Sequence, residues 1–222
     1  MCSLLFMGLG VNFNKPMNVK FPMKRFLPIF IITFCNAQMT LTYDGLVRES
    51  LDSDSIRYLD EVFENVTITE DVVYGNAPDL PFIFLFEWNT YDIDLDMDIY
   101  EPEGDTETQR PVIIFIHTGA FFSGHNELDD VVALSIAAAK RGYVAVSINY
   151  RLGLNILSTY SGERAVYRGV QDASAAVRYL KEFSGEYNID ANNIFVWGTS
   201  AGSFIGLHLA FSEDDERPES TY

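Results

Sequence analysis

The chain has 222 residues, 48% of them hydrophobic and 14% aromatic, enough for one sizeable domain or two small ones with a buried core. That composition excludes global disorder. The formal net charge is −17, and the first 37 positions hold four basic residues and no acidic one, leaving 11 basic against 32 acidic in the remainder. A surface that acidic repels nucleic-acid phosphate and anionic lipid headgroups, which disfavours both as partners.

Residues 1–37 read as a leader and signal peptide. Met23-Lys24-Arg25 opens a basic region, Phe26 to Phe34 is a short apolar run, and Cys35-Asn36-Ala37 offers small residues before a cut at Gln38. The run is too short to span a bilayer, and export to a secreted or periplasmic location is the expectation. A buried N-terminal helix is the other reading, against which Pro22 and Pro28 argue. Phe34 stands directly before Cys35, where a lipoprotein signal needs a small residue, so lipid anchoring at Cys35 is disfavoured. Cys2 and Cys35 are the only cysteines, and cleavage removes both, leaving a mature chain without disulfide or thiol chemistry.

Residues 38–90 form an N-terminal extension with weak signals. Ile56, Leu59 and Phe63 have helix spacing, Val66-Thr67-Ile68-Thr69 alternates like a strand, and Tyr74-Gly75-Asn76-Ala77-Pro78 is expected to break it. The domain proper is expected over 91–222. Ile93, Leu95, Met97 and Ile99 alternate with Asp92, Asp94, Asp96 and Asp98, which predicts a strand with one wet face. The four aspartates raise the question of calcium. Carboxylates at i and i+2 on a strand lie about 7 Å apart, too far to share one ion unaided, so a solvated face is the reading adopted.

Three continuous apolar runs follow, Val112 to Ile116, Tyr143 to Ile148 and Ile194 to Trp197, which suit parallel strands buried on both faces. Between them Asn126 is the expected N-cap of a helix carrying Leu128, Val131, Val132, Ile136 and Ala139, closed by Gly142. Val166, Val170, Ala173, Val177 and Leu180 step by four and three along one face of a longer helix. The alternation predicts an α/β fold with a parallel sheet and crossover helices.

Trp197-Gly198-Thr199-Ser200-Ala201-Gly202 contains a G-x-S-x-G sequence between the third run and an apolar helix, Phe204 to Phe211. A nucleophilic serine there projects from a sharp strand-to-helix turn with no room for side chains at two neighbouring positions, which glycine supplies. The helix starting at Ala201 aims its positive end at the same place. His117-Thr118-Gly119-Ala120-Phe121 follows the first run, where small residues let backbone N–H donors approach an oxyanion. A purely structural Gly/Ser turn is the bland alternative.

From about Tyr91 to Phe211 these segments resemble the α/β-hydrolase superfamily, in particular its secreted carboxylesterase/lipase group. The similarity includes Asp98-Ile99-Tyr100-Glu101-Pro102, Val146 to Arg151, Gly169 to Leu180, and Ile189 to Ile194 leading into the serine turn. The resemblance implies Ser200 as nucleophile and an oxyanion hole from the N–H groups of Gly119, Ala120 and Ala201. It departs at Thr118, in place of the first loop glycine, and at Thr199, where glutamate is common; neither donates the inferred bonds. In this fold the order is Ser, then Asp or Glu, then His. Only 22 residues follow Ser200, so the acid and the histidine are expected outside this chain, and the fold incomplete. His117 resembles the family's structural histidine, His125 reads as a surface residue, and His208 lies about 12 Å along the helix from Ser200. No metal or organic cofactor is implied, because no cysteine/histidine cluster or phosphate loop is present. The expected substrate is a small-molecule or carbohydrate-linked ester. A non-catalytic binding protein and a serine peptidase of the same fold are the alternatives.

Overall fold

A computed structural model describes residues 56–80, 89–155 and 157–212. The leader and signal-peptide reading of 1–37, with Cys35, and the start of the extension lie outside these residues. In chain order the elements are β1 (Val66–Asp79), β2 (Tyr91–Pro102), β3 (Arg110–Ile116), α1 (Asp129–Ala139), β4 (Val144–Ile148), α2 (Ser161–Glu182), β5 (Ile189–Gly198) and α3 (Ala201–Phe211). The class is α/β, as the alternation predicts.

The strands lie side by side in the order β1-β2-β4-β3-β5. The three apolar runs form the parallel part, with Val112 opposite Val144 and Ile194, and Ile116 opposite Ile148 and Gly198. The sheet is mixed rather than wholly parallel, because β1 and β2 join it antiparallel. One face carries Met97, Ile99, Ile114, Val146 and Ile148 under Ala173, Ala176 and Leu180 of α2 and Ile205 of α3. The other carries Tyr100, Phe115 and Ala145 under Val131, Ala138 and Ala139 of α1. Burying each Ile, Leu or Val contributes about 1.5–3 kcal/mol relative to leaving it in water. Among the described residues β5 has no partner on its outer edge, and Phe195, Phe204, Leu207 and Phe211 are exposed there and on α3.

Several local expectations are corrected. Residues 56–60 form a turn rather than a helix, with the N–H groups of Leu59 and Asp60 on the Ile56 carbonyl, and those of Val62 and Phe63 then donate to the Lys140 carbonyl. The expected break at 74–78 does not occur. Instead β1 runs on to Asp79, paired with β2 through two register shifts, one of them beside Asp71 with φ 57°. This part of the 38–90 segment therefore contributes a strand to the same sheet. The aspartate face of β2 is wet only at its start: Asp98 is buried and accepts the Asp71 N–H at 3.0 Å. Asp96 accepts from the Asn149 side-chain amide. Asn126 does not cap α1, which begins after Leu128. Its side chain and N–H are both taken by the Asn149 amide. The buried stripe of α2 is centred on Ala165, Arg168, Gly169, Asp172, Ala173 and Ala176, leaving Val166 and Val177 only half-buried.

The N-terminal ends of the parallel strands are tied by charge. Arg57 donates to Asp105 at 3.0 Å and to the Gly142 carbonyl at 3.0 Å. Arg110, buried, donates to Glu101 and to the Tyr187 carbonyl. Deeper in the fold Arg151 holds Asp172 with Nε at 3.0 Å and Nη2 at 2.7 Å, both side chains being buried.

Candidate active site

At the end of β5 the chain turns directly into α3, and Ser200 is the turning residue, with φ 50° and ψ −115°. A side-chain-bearing residue is rarely found there, and the surrounding structure must hold it against a cost of about 1–3 kcal/mol. The flanking glycines allow the turn. A Cβ on Gly198 would stand under 3.0 Å from the Gly202 carbonyl, and one on Gly202 equally close to the Ile116 carbonyl at the end of β3. Ser200 is exposed, and its backbone carbonyl accepts the N–H groups of Ser203 and Phe204 at 3.1 and 3.3 Å.

Because Ile116 lies opposite Gly198, the residues that follow β3 and those that follow β5 emerge side by side from one end of the sheet. Gly119, Ala120 and Phe121 then have positive φ of 131°, 52° and 61°, a tight turn closed by the Phe122 and Ser123 N–H groups on the Gly119 carbonyl. A Cβ on Gly119 would run into the Ser123 carbonyl, so this position requires glycine on two counts. Among the described residues no hydrogen bond uses the N–H of Gly119, Ala120 or Ala201. All three sequence-predicted donors thus belong to the two turns that leave the same end of the sheet as Ser200.

The histidines are engaged elsewhere. His117 is buried with its ring stacked on Tyr150, centroids 4.2 Å apart, and its Nδ1 lies 2.6 Å from the Thr118 carbonyl. That carbonyl only accepts, so Nδ1 carries the proton, and Nε2 is buried without a partner among the described residues. Protonating Nε2 would place a charge with no acceptor in the interior, and burial accordingly lowers the His117 pKa. His125 is an exposed side chain beside the Glu127 N–H. His208 bonds Ser212 at 2.7 Å on α3.

Sequence reading missed Tyr150 and Arg168 as parts of this region. Tyr150 sits in a segment already singled out, and its hydroxyl donates to the His117 carbonyl at 3.1 Å. Arg168 lies three residues after Ala165 and four before Asp172, within the small-residue stripe of α2, and that spacing is the signal that places it inward. Among the described residues no group of three or more His, Cys, Asp or Glu side chains could hold a metal ion. Nor is any helix among them long and apolar enough to cross a membrane.

Known proteins are similar to this chain over part of its length. Juvenile hormone esterase of Tribolium castaneum is 32% identical over 115 residues, 51% of this chain and 19% of its own. Human bile salt-activated lipase is 33% identical over 144 residues, covering 61% of this chain and 17% of its own. The chain therefore spans about a fifth of the length of these curated relatives. Among solved structures, the native Est2 esterase of Thermogutta terrifontis superposes with a TM-score of 0.46 at 27% identity, covering 58% of this chain and 43% of the esterase. Residues 97–222, from the middle of β2 through both turns and α3, match the BD-FAE family, and on that match the chain belongs to the BD-FAE family.

Proposed function

We propose that this chain carries the nucleophile and oxyanion hole of a carboxylic ester hydrolase. Ser200 Oγ attacks the ester carbonyl, and the oxyanion that forms is taken by the N–H groups of Gly119, Ala120 and Ala201. The alcohol leaves, and water then releases the acid from the acyl-serine. The observation that carries this reading is the strained exposure of Ser200 beside turns whose donors have no other acceptor among the described residues. Similarity to an enzyme named juvenile hormone esterase and to one named bile salt-activated lipase supports a small-molecule ester as substrate. On this reading the acid and the histidine lie outside the described residues. The fold orders Ser, then acid, then His, and the described residues after Ser200 hold no Asp or Glu and one histidine, His208, bonded to Ser212. Export follows from the basic and apolar segment before Gln38.

The test uses the full-length gene product with p-nitrophenyl acetate and a fluorophosphonate. Hydrolysis and labelling at Ser200 are both expected, and both vanish in Ser200→Ala. The 222-residue chain alone stays near background, because triad members act as a unit. Hydrolysis that survives Ser200→Ala rejects the assignment. A folded full-length protein that neither hydrolyses nor labels is a binding protein of this fold, and one that prefers peptides to esters is a peptidase.

A further inference from the structure

The N–H groups of Gly119 and Ala120 sit on a turn of three consecutive positive-φ residues, two of which carry side chains. Such a turn keeps its shape only where its surroundings impose it. Among the described residues, the segment that follows β4 supplies such contacts. The N–H groups of Gly153 and Leu154 converge on the Phe121 carbonyl at 2.7 and 3.2 Å. The Tyr150 hydroxyl holds the His117 carbonyl at 3.1 Å, with the two rings stacked and Phe121 edge-on to Tyr150 at 6.1 Å.

Beside the Arg151–Asp172 pair, a second cation holds this segment. Arg168 is 0% exposed on the inner face of α2, and its Nη2 donates to the Gly153 carbonyl at 2.6 Å. That carbonyl and the Leu154 N–H belong to one planar peptide unit. Arg168 grips one end of the plane and Phe121 receives the other. A charge-assisted bond is shorter and stronger than a neutral one, and a carbonyl polarised in this way strengthens the donor across the same peptide.

We infer that Arg168 is a positioning residue of the ester-hydrolase site, acting through the Gly153–Leu154 peptide to set the Gly119–Phe121 turn and with it the two oxyanion donors. The inference rests on the reading of Ser200 and those donors given above. It extends that reading to a side chain that touches neither.

The experiment compares full-length wild type, Ser200→Ala, Arg168→Met, Arg168→Lys and Tyr150→Phe. The readouts are kcat and KM for p-nitrophenyl acetate and affinity for a trifluoromethyl ketone, to whose carbonyl Ser200 adds to leave an oxyanion facing the same donors. An inactive wild type, or an active Ser200→Ala, overturns the underlying reading. With those controls in order, Arg168→Met lowers kcat about tenfold, less than outright loss of a donor, while KM stays within about twofold. Affinity for the ketone falls by the same factor, Arg168→Lys recovers most of both, and Tyr150→Phe gives a smaller parallel loss. A folded Arg168→Met enzyme with unchanged kcat overturns the inference, as does a fall in kcat that leaves ketone affinity unchanged. Should Arg168→Met not fold, Arg168→Gln, which keeps a neutral donor, takes its place and is judged by the same two readouts.

Discussion

Gly202 passes beneath the end of β3 so closely that a Cβ on it would stand under 3.0 Å from the carbonyl oxygen of Ile116. The atom it would meet is backbone at the end of an interior strand, which cannot step aside as a flexible side chain would. Gly202→Ala is expected to cost about 1–3 kcal/mol or more by overpacking. It should also slow fluorophosphonate labelling of Ser200 in the full-length protein. Urea unfolding and a labelling time course measure the two effects, and an alanine variant of wild-type stability would show that α3 can move.

The helices α2 and α3 meet at a second close approach. A Cβ on Gly169 would lie 2.5 Å from Ile205 Cδ1 and 2.8 Å from its Cγ1. Gly169→Ala should destabilise by about 1–3 kcal/mol. Adding Ile205→Val, which deletes the nearer atom, should recover part of that loss. Melting temperatures of the two single variants and the double variant form the cycle, and strictly additive losses would place the strain elsewhere.

The Arg151–Asp172 pair is buried on both sides, with the Arg151 N–H also on Asp172 Oδ2 at 2.8 Å. Arg151 reaches further, to the Pro78 carbonyl at 2.9 Å and to Gln171 at 3.1 Å. Removing either partner strands a buried charge, so Arg151→Ala or Asp172→Ala should each cost about 3–5 kcal/mol. Replacing both by apolar residues of similar volume should cost much less than the two losses combined. Denaturant titration of the four proteins decides it.

His117 makes stability depend on pH in one direction. Its ring is held neutral by burial, with a pKa below the unfolded value of 6.5. The unfolded chain therefore takes up the proton first as pH falls. The contribution of His117 is fully present above pH 6.5 and declines as pH drops from there towards the folded pKa. Melting temperature followed from pH 8 to pH 5 should fall more steeply for wild type than for His117→Asn. Parallel curves would mean the ring charges without penalty.

The parts of the fold legible in the sequence are those where one physical demand acts alone. Val112 to Ile116 and Tyr143 to Ile148 must be apolar on both faces, and their composition says so. Gly198 and Gly202 must lack side chains, and the G-x-S-x-G spacing says so. Elsewhere two demands compete. The bulge beside Asp71 shifts the register of β1, so its period of two is lost after Thr69 although the strand continues. Asp98 alternates like a wet residue, yet the Asp71 N–H gives its carboxylate a partner inside. Asn126 has the chemistry of a cap, but Asn149, distant in sequence, claims it first. The spacing of Arg168 on α2 places it inward, but nothing local announces the Gly153 carbonyl that receives it.

The clasp of Arg57 with Asp105, and the buried Arg110 beside it, stand where the parallel strands begin, while Ser200 and the Gly119 turn stand where they end. The seven residues of β3 put about 20 Å between the two. Substitutions at that separation usually add without interacting. Changes that alter the charged clasp at one rim of the sheet are accordingly free to adjust stability without disturbing the two turns at the other rim, and the turns can vary without loosening the clasp.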